Sequence, residues 1–432
     1  MVDFTLISVS IIQFLIISII CYYEAQRKSP AVFLWATLEI MFGVMHLITI
    51  IGNSIKYSWS SMFEASIFVI IFCIIYLFIR IIINKRMGGY KNIINQIVKL
   101  KQDNKYTDFL MAILNISIVL SIYYVISFSG GLLNTSWSEM RDYSSSLGYV
   151  NSSQLLNILY FSTSGVLLIN LFSKKYKKTI CSIVGILIFA LLTRNRILIL
   201  PLLVDLILFK LTLIKHIKIK NIFFASIIAV MVIYVVYGIR VFRHYGSLEA
   251  FIVNFNLIEF VDKINLYLTT DNGELGLRNG FYYFIECNNN FPGFGVGASY
   301  MRMLLVYLPT QFSFDLKPDD FAITMGQAIG MAKGGSTHPT LFGDCYANAG
   351  FFGVFLGIFW GLYASIVDFI LIKTKNDILK ILFYSLFSVT FVIMGRGSVY
   401  NSFFFVAWGI PTLLILDYIY KFSKKIKFKI KG

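Results

Sequence analysis

Apolar residues run along this chain in blocks of roughly twenty, divided by short polar linkers, and no block alternates in the period of two that a half-buried strand requires. The blocks fall near 4–23, 31–51, 64–84, 108–128, 153–172, 179–193, 197–213, 221–240, 347–372, 379–395 and 402–420. In hydrocarbon every backbone N–H and C=O must be satisfied within the protein, which leaves helices or a closed barrel as spanning elements. The pattern therefore predicts an all-α polytopic membrane protein with about eleven transmembrane helices. Asp3 precedes the first block and no small-residue cleavage site follows it, so this block reads as a retained span.

Charge then orients the spans. Only 14% of the residues are charged, against about 25% in ordinary soluble proteins. The net charge of +16 is carried by lysine-rich blocks. They lie at Arg27 and Lys28, from Lys85 to Lys105, at Lys174 to Lys178, at Lys215 to Lys220, at Lys373 to Lys380 and from Lys421 to Lys431. Every second linker is basic, so by the positive-inside rule these face the cytoplasm, with the amino terminus outside and the carboxyl terminus inside. No nucleic-acid module is present. The expected organisation is an amino-terminal bundle over 1–240, a large outer loop over 241–346, and carboxyl-terminal helices with a basic tail over 347–432. A connection of about a hundred residues needs structure of its own, and amphipathic stretches such as Ser299 to Leu308 suggest helices lying on the outer membrane face. Of the five cysteines, only Cys287 and Cys345 could meet outside the membrane.

The chemistry concentrates where the large loop meets the next span, in GGSTHPTLFGDCYANAGFFGVFLGIFWG, Gly334 to Gly361. Gly334, Gly335 and Pro339 frame one imidazole, His338, and Asp344 follows near the predicted membrane entry. Gly353, Gly357 and Gly361 place small residues on one helix face for close packing. Of the other histidines, His46 falls in a predicted span, His216 is cytoplasmic, and His244 lies just outside the membrane. Lysine dominates the inner linkers, but the outer side carries Arg194, Arg196, Arg240, Arg243, Arg278, Arg302 and Arg396. A guanidinium binds phosphate bidentately and keeps its charge in a partly dry site, so a phosphate clamp is one reading of these arginines. Interfacial snorkelling and carboxylate pairing is the other. Arg278 and Arg302 stand out within the loop. Glu39 and Asp205 fall inside spans, where an ionised carboxylate is costly, and each is either a structural partner or a proton or ion site.

The series FPGFGVGASYMRMLLVYLPTQFSFDLKPDDF, Phe291 to Phe321, followed by GGSTHPTLFGDCYANAGFFG, resembles the bacterial O-antigen polymerases, the oligosaccharide repeat-unit polymerases of the cell envelope. The resemblance implies a C-type glycosyltransferase of the bacterial inner membrane with its active site facing the periplasm, using neither a nucleotide sugar nor an obligatory metal and no cofactor. It would transfer a growing glycan from undecaprenyl diphosphate onto a lipid-linked repeat unit, in the lipid bilayer and alongside a chain-length regulator. On that reading His338, Asp319, Asp320 and Asp344 are candidates to receive or orient the acceptor hydroxyl proton, and the outer arginines hold the diphosphate. Tyr282, Tyr283, Tyr300, Tyr307 and Trp360 are available to stack on sugars. The rivals are the related ligase that moves finished glycan to lipid A core, a lipid-oligosaccharide flippase or other transporter, and a polyprenyl-monophosphate sugar transferase. The second usually shows two related halves, absent here. The third needs an acidic pair in its first outer loop, and residues 52–63 hold no acid.

Overall fold

The computed structural model describes residues 4–52, 56–86, 104–129, 147–193, 196–213, 234, 237–238, 241–242, 245, 248–269, 275–289, 295–308, 312, 316–328, 337–397 and 399–431. Among these residues there are helices and turns and no strand. Among the described residues eight helices are long and apolar enough to cross a membrane: Phe4–Arg27, Val32–Ile51, Trp59–Arg86, Lys105–Tyr124, Gln154–Phe172, Thr340–Lys373, Asp377–Arg396 and Val399–Lys424. The protein is thus an all-α polytopic membrane protein. The expected spans at 179–193 and 197–213 are helices over Tyr176–Thr193 and Leu200–Leu213 but are not among the eight. The expected span at 221–240 lies almost wholly outside the described residues.

The chain forms two compact units that interleave along the sequence, where the hydropathy pattern suggests three consecutive regions. One comprises Met1–Ile93, Gly273–Lys373 and Phe387–Ala407, the other Ile94–Asn272, Thr374–Leu386 and Trp408–Gly432.

In the first unit, α1 (Phe4–Arg27) ends with Lys28 in the left-handed region. Lys28 N–H donates to Ala25 O and Ser29 N–H to Glu24 O, which satisfies the last carbonyls as a Schellman cap, and Pro30 prevents continuation. The second span is not uniform. Helix α2 (Val32–Leu38) passes into a π-helical turn, Glu39–Val44, and resumes as α3 (Met45–Ile51). Helix α4 (Trp59–Arg86) follows. Numbering the remaining helices of this unit from α5, they are α5 (Asn279–Glu286), α6 (Ala298–Leu304), α7 (Phe321–Ala328), α8 (Thr340–Ala349) and α9 (Leu356–Lys373). A 3₁₀ stretch, Gly350–Phe355, joins α8 to α9.

Gly357 and Gly361 pack as their spacing predicts, whereas Gly353 lies in the 3₁₀ stretch and abuts the Cys345 carbonyl of α8. A Cβ on Gly357 would lie 2.8 Å from the Phe72 carbonyl of α4, and one on Gly361 would meet Ile79 at 3.1 Å and the Tyr76 carbonyl at 3.2 Å. Two backbones in this contact exclude any larger side chain. The point of chain re-entry differs from expectation. The predicted span begins at 347, yet α8 already begins at Thr340 and Asp344 lies inside it. The polar sequence of α8 obscured its helicity, because nine of its ten residues are buried against protein and need no apolar match to lipid.

Four charged side chains are buried together in this unit. Arg80 of α4 donates to both carboxylate oxygens of Glu24, at 2.7 Å and 2.5 Å, to Asp368 at 2.7 Å, to Ser365 at 3.0 Å and to Ser29 at 3.2 Å. Arg27 reaches Asp368 at 3.3 Å, Ser29 donates to the other oxygen of Asp368 at 2.7 Å, and Tyr76 donates to Glu24 at 3.0 Å. The cluster ties α1, α4 and α9 together with nearly every oxygen and guanidinium nitrogen occupied, the condition under which buried charges are tolerated.

In the second unit Asp205 is fully buried and accepts a 2.6 Å hydrogen bond from Ser385. Cys287 and Cys345, the two cysteines that could meet outside the membrane, are not paired. All five cysteines are free, and Cys345 is buried with its sulfur 3.5 Å from the Tyr300 hydroxyl.

Candidate functional site

Four segments that are distant in sequence line one small cleft. Helix α6 contributes Ser299 and Arg302, the start of α7 contributes Asp320 to Ala322, the strip entering α8 contributes His338, Pro339 and Asp344, and Gly397, Val399 and Tyr400 complete it. Gly397 follows the helix Asp377–Arg396, and Val399 and Tyr400 open the helix Val399–Lys431.

Each wall is held by local chemistry. Gly280 and Phe281 of α5 abut Pro339 and Gly343: a Cβ on Gly280 would lie 3.5 Å from Pro339 Cα, and one on Gly343 would lie 3.3 Å from Phe281 Cα. Thr340 is held at φ +68°, a strained conformation for a β-branched residue, directly after the His-Pro pair. On the opposite side, a Cβ on Gly397 would sit 2.3 Å from His338 Cβ. The imidazole therefore rests on the Gly397 backbone. Substituting Gly397 with alanine forces His338 to move, and the expected outcome is about a tenfold or larger loss of any activity that depends on the position of this imidazole, at unchanged membrane level. Gly295→Ala is the control, because nothing lies within 4 Å of a Cβ there.

Asn348 joins α8 to α6. Its amide nitrogen donates to Asp344 Oδ1 at 3.2 Å, its side-chain oxygen accepts from Ser299 N–H at 3.1 Å, and its carbonyl accepts from Gly297 N–H at 3.2 Å. Arg302, one turn along α6 from Ser299, projects into the cleft. Its Nη1 donates to the Pro318 carbonyl, its Nη2 lies 3.9 Å from Asp320, and its guanidinium lies 4.5 Å from the centre of the Tyr400 ring. Its Nε–H is buried and has no hydrogen-bond partner. Lys317 approaches the same ring at 5.9 Å and donates to the Leu308 carbonyl at 2.8 Å. Burial, and then the Arg302 charge, pull the Lys317 ammonium below the usual lysine range. Two cations thus approach one aromatic ring, with Asp320 only loosely paired, an arrangement to which an added anion is electrostatically welcome.

On its outer side α6 is apolar. Leu304 is 80% exposed, and Met301, Tyr307 and Val296 are exposed as well. A polar cleft thus lies beside an apolar surface, the geometry an amphiphile with an anionic head would use. Among the described residues no group of three or more His, Cys, Asp or Glu side chains is placed to hold a metal ion.

The cleft gathers four of the residues proposed from sequence: His338, Asp344, Asp320 and Arg302. Asp319 is exposed and outside the lining. Arg278 is elsewhere. It is fully buried, donates to Thr49 Oγ1 of α3 at 2.6 Å, and anchors the segment leading into α5. Arg396 ends its helix one residue before Gly397 and does not line the cleft. Arg196 opens a 3₁₀ turn in the other unit, and Arg194, Arg240, Arg243 and His244 lie outside the described residues. Sequence reasoning missed Tyr400, Lys317, Gly397 and Asn348. Comparison with family models, curated proteins and solved structures gives no match.

Proposed function

We propose that this protein is a glycosyltransferase of the O-antigen polymerase type, working at the periplasmic face of the bacterial inner membrane. Its substrates are oligosaccharides linked to undecaprenyl diphosphate, one as donor and one as acceptor. The observation that carries the reading is the buried, unpartnered Nε–H of Arg302 in a cleft shared with His338 and bordered by the exposed apolar face of α6. A buried donor left without a partner costs about 1–3 kcal/mol, which a phosphate oxygen would recover.

In this mechanism Arg302 and Lys317 hold the donor diphosphate. The acceptor hydroxyl oxygen attacks the anomeric carbon of the donor glycan as the bond from that carbon to the phosphate oxygen breaks. The leaving diphosphate takes the bonding electrons, and its growing charge is stabilised by the two cations. His338, as the neutral imidazole, accepts the hydroxyl proton. Asp320 tethers Arg302, and Asp344, held by Asn348, fixes α6 against α8. The stretch from Phe291 to Gly353 that resembles the polymerases supplies every one of these groups, and Tyr400 is added from another helix.

The test is the surface glycan of a deletion strain. The expected result is lipid capped with a single repeat unit and a full ladder on complementation. An unchanged ladder would refute the reading. Polymer accumulating on the carrier lipid, with none reaching lipid A core, would assign the same cleft to the ligase reaction.

A further inference from the structure

A second constellation of polar groups lies inside the first unit, apart from the cleft, on the inward face of α1. That face is polar where an ordinary span is apolar: Ser10, Gln13, Glu24 and Arg27 are all buried. Glu24 and Arg27 belong to the closed charge cluster. Ser10, Gln13 and the neighbouring Ser18 face the π-helical turn and α3, and each meets a polar partner there. Ser10 and Ser66 of α4 lie 3.1 Å and 3.0 Å from His46 Nε2, while His46 Nδ1 lies 2.6 Å from the Tyr282 hydroxyl of α5. Gln13 Nε2 donates to the Phe42 carbonyl at 2.5 Å, and Ser18 donates to Glu39 Oε1 at 2.7 Å.

Glu39 is built into this face. It opens the π-helical turn, and its carboxyl folds back over Gly43: a Cβ there would lie 3.0 Å from Glu39 Cδ and 3.0 Å from Oε1. Any side chain at 43 would crowd the group. Its second oxygen, Oε2, is buried with no hydrogen-bond partner, and so is Gln13 Oε1 on the facing helix. Glu39 makes no ion pair among the described residues. The titratable groups that face it are Cys21 of α1 and Cys73 of α4, both thiols.

A carboxylate with one neutral donor and an orphan oxygen is poorly held in a span, whereas a carboxylic acid is a donor that needs less. A π-helical turn inside a helix often marks a functional position. We propose that Glu39 is a reversible proton-binding site in the membrane interior, reached from the side where Tyr282 lies. The hydroxyls of Ser10, Ser66 and Tyr282 and the imidazole of His46 can each donate and accept, which a proton path requires. On the opposite side the Glu24–Arg80–Asp368 cluster is saturated with its own hydrogen bonds and offers no such path.

The test uses the purified full-length protein in detergent and a hydrophobic carbodiimide, which reacts with a carboxylic acid and not with a carboxylate, with the adduct located by mass spectrometry. The expected result is an adduct on Glu39 at pH 6 that falls about tenfold or more by pH 9 as the proton is lost, and that is absent from E39Q. Absence of an adduct at every pH from folded protein would overturn the proposal. So would an adduct whose yield does not change between these pH values, because it would show a permanently neutral, structural acid. The adduct is read on the wild-type chain, so the result stands even where E39Q folds poorly. The outcome is independent of the glycan ladder, and either proposal can fail without the other.

Discussion

Replacing Arg302 with lysine is expected to reduce the proposed glycan transfer by about a hundredfold or more, the scale for losing a fixed donor aimed at developing charge, while leaving the protein in the membrane at its normal level. The guanidinium has three engagements at once. It reaches the Pro318 carbonyl, stacks on Tyr400 at 4.5 Å, and keeps a buried Nε–H available to the cleft. An ammonium at the end of a flexible stem supplies the charge but not the planar fork, so it can reproduce one of these contacts and not the set. Lys317→Ala should be milder, because Lys317 is a second charge at greater distance from the ring. The measurement is the glycan ladder, or transfer between lipid-linked repeat units in membrane vesicles, with protein level checked. Near wild-type activity of R302K would remove this residue from the reaction.

The largest effect on stability is expected from Arg80→Met. The substitution leaves Glu24 and Asp368 buried with their common cation gone, a situation that typically costs about 3–5 kcal/mol. The expected readout is a marked fall in the thermal midpoint of the detergent-solubilised protein and in its level in the membrane. Removing the acids together with the cation, as in E24Q/R80M/D368N, should recover much of that loss, because it is the stranded charge and not the missing contact that is expensive. A single R80M variant as stable as the parent would show that the cluster is already neutralised in some other way.

Much of the architecture was legible because bilayer thickness imposes a length on apolar runs. Phe4–Arg27, Trp59–Arg86 and Asp377–Arg396 lie over blocks that hydropathy marks. Hydropathy could not show α8, whose polar residues are matched by protein and not by lipid, nor the π-helical turn, which differs from its neighbours by one residue of hydrogen-bond register. The cleft was half legible. The strip His338-Pro339 and the acid Asp344 carry the glycines and ring chemistry that draw attention, whereas Tyr400 and Gly397 reach His338 only through folding. Arg278 shows the converse limit. Residue type gives a charge but not its surroundings, and this arginine is spent on Thr49. Arg80 and Asp368 lie near the ends of apolar runs, where snorkelling is the ordinary expectation, and only the packing of α1, α4 and α9 turns them inward.

That cluster also decides how this end of the helical bundle responds to voltage. Two acids, Glu24 and Asp368, face two arginines, Arg27 and Arg80, all within or at the ends of membrane-spanning helices. Their formal charges cancel, so a transmembrane potential exerts no net force on the group. A substitution that removes one of the four breaks this balance and leaves a whole charge in the field, worth about 2.3 kcal/mol for each 100 mV it traverses. This end of the bundle would then feel the membrane potential, through residues that do not line the cleft.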